Sequence, residues 1–253
     1  MVLEIGGLTK NFGGLVAIDN LELKVLRSEI LGVIGPNGAG KTTLFNLICG
    51  FLRPTKGRII FKGNDIIGLK PHKIAELGIG RTFQRTTLFM DSTVFENVLA
   101  GFHLAYKVDI IKTYLHTLES RKEAKLIKEK CAEILDLVGL VSLKDELAKN
   151  LSHGHQRSLG LGVALACNPA LLLVDEPATG MNTQESQTMM NIVRGIRDTG
   201  ITIMIIEHDM KVVMNLCDRI AALSFGQKIA EGLPEQIRQN KEVIEVYLGR
   251  EEM

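Results

Sequence analysis

At 253 residues, 45% of them hydrophobic, the chain is long enough to bury a sizeable core as one large domain or as a main domain with a subdomain. A formal net charge of +1 argues against a general nucleic-acid binder, which carries a basic excess. Cys49, Cys131, Cys167 and Cys217 are scattered without a C-x-x-C pair, so buried thiols in a reducing compartment are expected rather than disulfides or zinc.

The opening "MVLEIGGLTKNF" lacks the charged start and apolar stretch of a secretory signal, so no export by that route is expected. "LEIGGLTKNF" and "LELKV" alternate apolar and polar residues, and "GRIIFKGNDI" follows later, which predicts a small antiparallel sheet beside the core. Between them, "EILGVIG" is a short β-prone run that ends in glycine and leads through a glycine-rich loop into the helix-like "KTTLFNLICGFL". From about residue 91 to residue 150 the character changes, and "SRKEAKLIKEKCAEILDLVGL" combines helical spacing with dense charge, as a helical insertion would.

The most apolar region, "SLGLGVALACNPALLLV", is broken at Asn168-Pro169, short of the roughly 20 residues that a membrane-spanning helix requires. Any connection to a membrane is therefore expected to run through a partner. "ALLLVD" and "ITIMIIEHD" are continuous apolar runs of strand length, the pattern of strands buried on both faces of a parallel sheet. The tail "LPEQIRQNKEVIEVYLGREEM" reads as helical, with Pro234 near a helix start. The predicted class is α/β with a mostly parallel sheet. Residues 1–90 and 151–233 are expected to form the core with its antiparallel part, 91–150 a helical subdomain, and 234–253 a helical tail.

"GPNGAGKT", Gly35 to Thr42, fits G-x-x-x-x-G-K-[ST] between a strand and a helix, the context that confirms a P-loop. The backbone of Gly35, Pro36, Asn37, Gly38, Ala39 and Gly40 is expected to curl around the β-phosphate of a nucleoside triphosphate. Lys41 would bridge the β- and γ-phosphates, Thr42 would ligate magnesium, and Thr43 would stand beside them. The start of the following helix adds the positive end of its dipole. In "LLLVDEP", Asp175 and Glu176 end a buried strand, where two adjacent carboxylates are costly without a cation or a proton to handle. Asp175 suits magnesium coordination, and Glu176 suits a general base acting on water.

With these motifs in this order, the chain resembles the ATP-binding subunits of ABC transporters over nearly its whole length. The resemblance extends to Gln84 in "RTFQ", at the family's glutamine, and to His208 in "IIEHD", at its switch histidine. "LSHGH" falls where the family writes its signature loop LSGGQ. The resemblance implies that Gln84 touches both magnesium and the attacking water, and that His208 reaches the γ-phosphate. It implies that Ser152 and the Gly154 backbone hold the γ-phosphate of an ATP bound to a second ATPase subunit facing head to tail, and that Phe12 stacks on adenine. His153 stands in place of a glycine and His155 in place of the glutamine. Two histidines two residues apart lack the further ligands zinc needs. Asn182 in "ATGMN" replaces the usual aspartate of the loop that crosses between subunits, which would make that contact a neutral hydrogen bond.

"GIGRTFQRTTLFMDSTVFENVLAG", "DEPATGMN" and "EGLPEQIRQNKEVIEVYLG" look most like the ATPases of branched-chain amino-acid importers. This resemblance implies ATP and Mg2+ as cofactors, separate transmembrane permease subunits, a second ATPase subunit of the same or a paralogous chain, and, indirectly, a solute-binding protein. It places the chain peripherally on the cytoplasmic face of the cell membrane. Similar ATPases serve urea, short amides or lipopolysaccharide export. Soluble ABC ATPases that act on DNA or ribosomes carry long coiled coils, tandem halves or basic arms.

Overall fold

The computed structural model describes residues 1–82, 88–102 and 118–248. Two sheets organise them. A four-stranded antiparallel sheet has the order β2-β1-β4-β5, from β1 (Leu3–Phe12), β2 (Leu15–Val25), β4 (Lys56–Phe61) and β5 (Asn64–Asp65). A six-stranded sheet runs β10-β9-β3-β8-β7-β6, from β3 (Ile30–Ile34), β6 (Ile79–Arg81), β7 (Leu171–Asp175), β8 (Thr202–Ile206), β9 (Arg219–Ser224) and β10 (Gln227–Gly232). Its ladders are parallel except at the β9–β10 edge pair.

The continuous apolar runs have a simple cause. Every residue of β3, β7 and β8 is buried, and successive side chains point to opposite faces. Ile30, Ile34, Leu172, Val174, Ile203 and Ile205 belong to one apolar cluster. Leu31, Val33, Leu171, Leu173, Met204 and Ile206 belong to the other. The second cluster also contains Leu3, Ile5 and Leu8 of the antiparallel sheet, with Leu44, Phe45 and Ile48 of helix α1 (Lys41–Ile48). The first takes in α3 (Val94–Gly101), α4 (Leu118–Leu137), α5 (His153–Ala166), α6 (Thr183–Asp198) and α7 (Met210–Leu216). Each buried leucine or isoleucine contributes about 1.5–3 kcal/mol relative to exposure.

The insertion is helical where it is described. A reciprocal pair of hydrogen bonds between Thr93 and Glu96 starts α3. The buried Asn97 side chain bonds both the N–H and the C=O of Phe89, fastening the segment that leads into the helix. The tail is helical where it is described, in two pieces. It breaks into α8 (Pro234–Arg238) and α9 (Lys241–Leu248), because Asn240 turns to accept a hydrogen bond from the Val243 N–H at 3.1 Å. The remaining helix, α2 (Pro71–Glu76), precedes β6. No helix among the described residues is long and apolar enough to cross a membrane. All four cysteines are free, and burial pushes the Cys49 and Cys131 thiols up to about 11.

The β9–β10 turn braces the loop between β3 and α1. The Gly226 N–H donates to the Ala39 carbonyl at 3.1 Å, and the Gly226 carbonyl accepts from the Asp19 N–H of β2 at 3.0 Å. Gln227 adds a 2.7 Å bond to the Asp19 carboxylate.

Candidate functional site

The two ends of the loop from Gly35 to Gly40 are shaped by close approaches that leave no room for a side chain. Gly35 has φ +150°, and a Cβ there would collide with the Leu223 carbonyl. Gly40 has φ +101°, and its Cβ would lie 2.6 Å from the Ala17 carbonyl. Helix α1 begins at Lys41 with no side-chain cap and no acidic residue in its first turn, so its leading N–H groups and dipole face the loop. Lys41 is buried, and its Nζ donates to the Gly35 carbonyl at 2.6 Å and to the Pro36 carbonyl at 3.0 Å. An ammonium inside a curl of glycine backbone is a phosphate-binding arrangement. Asn37, Gly38 and Thr42 are exposed, Ala39 is buried, and Pro36 and Thr43 are half-buried.

At the end of β7, the Asp175 side chain is 3% exposed and pairs through Oδ2 with Arg81 at 3.1 Å. Burial pushes its carboxyl above the usual carboxylate range, against the opposing pull of the Arg81 hydrogen bond and the Lys41 charge. Its other oxygen, Oδ1, is buried and accepts no hydrogen bond among the described residues. A buried acceptor left open is costly in an apolar frame. It is a hard-oxygen donor of the kind that suits a divalent cation such as magnesium. Arg81 is the residue that sequence reasoning missed here. It ends β6, bonds Asn46 of α1 at 2.6 Å, and packs over the Phe45 ring.

Glu176 leaves β7 in the left-handed region, at φ +48°, and its N–H donates to the Ile206 carbonyl of β8 at 2.9 Å. Glu176 Oε2 accepts from the Thr179 hydroxyl at 3.3 Å, and Oε1 lies 3.7 Å from His208 Nδ1. The carboxylate and imidazole thus stand side by side at the strand ends, and a carboxylate so placed is a group able to accept a proton from water. Glu207, also unforeseen, is 1% exposed and sets this geometry, because its two oxygens accept the Ala178 and His208 N–H groups. Burial pushes the Glu207 carboxyl up while those amides pull it down. Its only signal in the sequence is a carboxylate closing an apolar strand.

The structure thus brings together Lys41, Asp175, Glu176 and His208 at neighbouring strand ends. It does not bring Ser152 and Gly154 to the P-loop. They begin α5, where the exposed Ser152 caps the helix by accepting the His155 N–H at 3.3 Å. The adjoining cavity is lined by Asn182, Glu185 and Met189 of the α6 region rather than by P-loop residues. His153 and His155 are exposed. Arg157 ties this helix to the site, donating to the Pro177 carbonyl at 2.9 Å. Asn182 also has a role within its own chain. Its Oδ1 caps α6 by accepting the Gln184 and Glu185 N–H groups, each at 3.0 Å, which leaves only its amide donors for a contact outside the chain. Phe12, at the end of β1, is 44% exposed with the Lys10 ammonium 4.8 Å from its ring centre. Gln84 lies outside the described residues.

Comparison with known proteins bears on the same elements. Residues 18–179, more than half of the chain, match the family model described as ABC transporter. Residues 227–252 match one described as branched-chain amino acid ATP-binding cassette transporter. The chain is 40% identical to the high-affinity branched-chain amino acid transport ATP-binding protein BraF of Pseudomonas aeruginosa, with 98% of each covered. It is 37% identical to the probable branched-chain amino acid transport ATP-binding protein LivG of Archaeoglobus fulgidus, covering 99% of this chain and 96% of that one. Among solved structures, the ADP conformation of an ATP-binding cassette of an ABC transporter superposes with a TM-score of 0.85 at 33% identity, with 98% of both chains covered. A strand-to-helix phosphate loop, a carboxylate pair closing the next-but-one strand, and end-to-end similarity to cassettes of this kind lead to one assignment: the chain belongs to the ABC transporter family, as one of its ATP-binding subunits.

Proposed function

We propose that this chain binds ATP with magnesium and hydrolyses it to power the import of branched-chain amino acids through separate permease subunits. The observation that carries the chemistry is the approach of Glu176 Oε1 to His208 Nδ1, 3.7 Å apart, at the ends of β7 and β8, on one side of the strand that leads into the Lys41 loop. Loop amides and Lys41 bind the phosphates, and Phe12 offers a flat face to the base. Thr42 and Asp175 Oδ1 would hold magnesium, which neutralises charge that develops on the phosphates. Glu176 accepts the proton of the attacking water, and His208 fixes that water's direction. Gln84 is proposed to join them at the metal and the water.

Ser152 is exposed, Gly154 is half-buried, and both are separate from the P-loop of their own chain, which supports their use on the nucleotide of a second ATPase subunit, of the same or a paralogous chain. ATP would tie the two subunits together, and hydrolysis would release them. Permease subunits are proposed to ride on the apolar groove lined by Phe51, Ile74, Leu88, Val163 and Cys167, among α2, β6 and α5. In that arrangement the chain would work at the cytoplasmic face of the membrane, with a solute-binding protein acting indirectly.

The transport assignment is tested by recovering the permease subunits that co-purify with the chain and measuring ATP hydrolysis with added solutes. Leucine, isoleucine or valine should stimulate hydrolysis. The chain is also 32% identical to the lipopolysaccharide export system ATP-binding protein LptB of Haemophilus influenzae, so stimulation by lipopolysaccharide, urea or short amides instead would overturn the assignment. Nucleotide binding is tested separately. Lys41→Ala removes a charged donor from the phosphate loop and should weaken ATP binding by about 10- to 150-fold in calorimetry. Unchanged affinity would count against the phosphate role.

A further inference from the structure

The tail holds a polar group that the proposed mechanism leaves unused. Val243 of α9 is buried, and Tyr247, one turn further on, packs against the apolar cluster that contains Ile34, the residue just before the P-loop. The Tyr247 hydroxyl is enclosed and has no aligned hydrogen-bond partner among the described residues. Burial pushes its phenol up, and the Gly35 backbone beside it pulls the other way, as an N–H directed toward the oxygen does. A buried hydroxyl that just misses a partner is destabilising until something moves to complete the bond.

Gly35 is the residue placed to move. Its carbonyl is held by Lys41 Nζ at 2.6 Å, so one end of this glycine is tied to the cation that a phosphate would attract and the other end faces Tyr247. Gly35 itself admits no side chain. We propose that Tyr247 is a positioning residue: when nucleotide phosphates draw Lys41 away from the Gly35 carbonyl, the loop relaxes toward the Tyr247 hydroxyl, which accepts the Gly35 N–H and fastens α9 to the loaded P-loop. The C-terminal helix thereby reports nucleotide occupancy. This inference rests on the proposed binding of nucleotide at the P-loop.

The test compares the full chain with Tyr247→Phe by hydrogen–deuterium exchange over residues 241–248, with and without ADP, and by calorimetry of ADP binding. In the parent, ADP should slow exchange in α9. In Tyr247→Phe that response should vanish, and ADP affinity should fall by about 2- to 10-fold. The nucleotide-free variant should melt at or above the parental temperature, since phenylalanine removes an unsatisfied hydroxyl and keeps the ring's packing. A residue with a packing role alone would leave both ADP readouts unchanged. If the parent binds ADP and its α9 does not respond, or if the variant responds like the parent, the coupling is wrong while nucleotide binding stands. If the parent binds no ADP, both fall.

Discussion

Glu176→Gln is expected to lower ATP turnover by about 10²- to 10⁴-fold while leaving ATP affinity within a factor of a few. The substitution keeps the shape of the side chain. The contacts at risk are also few: one 3.3 Å bond from the Thr179 hydroxyl and the 3.7 Å approach of His208. The strained backbone at φ +48° is held by the Ile206 carbonyl, which does not depend on the carboxylate. What the variant loses is a group able to take a proton from water. Phosphate-release kinetics alongside calorimetry separate the two quantities, and hydrolysis at the parental rate would remove Glu176 from the base role. With hydrolysis stalled, ATP should hold two subunits together, which light scattering reads as a dimer.

Arg81→Met should cost about 3–5 kcal/mol of stability, a fall in Tm of roughly 6–20 °C. Both partners of the Arg81–Asp175 pair are nearly inaccessible to water, so solvent screens them little. Removing the guanidinium leaves a buried carboxylate beside Glu176 with one cation fewer. The pH dependence follows from the direction of the Asp175 shift. Its folded carboxyl titrates above the ordinary range, so its ionisation costs stability at neutral pH, and the cost is relieved as pH falls through the folded value. Loss of Arg81 raises that value further. The gap between variant and parent should therefore be widest near neutrality and narrow toward acid pH. A variant that melts with the parent across this range would show that the pair is dispensable.

Legibility in the sequence followed burial. Strands β3, β7 and β8 lie inside the sheet with both faces covered, and each reads as an unbroken apolar run. Strand β10 is a half-exposed antiparallel edge, β6 has three residues, and the alanines of β9 carry little strand signal, so these three were not legible. The break between α8 and α9 carried a mark, an asparagine in a capping position, that helical periodicity overrode. In the site, Lys41, Asp175 and Glu176 could be found because spacing alone defines their motifs. Arg81 could not, because its partner Asp175 is 94 positions away and only the pairing of β6 with β7 makes them neighbours. Glu207 was hidden for the same reason, since its role is to receive backbone amides from a turn that folds back from another strand.

The bracing of the phosphate loop by the β9–β10 turn also sets a length. Through Gly226, the Ala39 carbonyl and the Asp19 amide are locked to one turn, and the strand that carries Asp19 is hydrogen-bonded to the one that ends in Phe12. The hairpin bearing the aromatic ring is therefore not free to slide relative to the glycine curl. A ligand that lays a planar ring on Phe12 and an anion in the curl meets a ruler, not an adjustable clamp. Such a gauge would read the span from ring to anion.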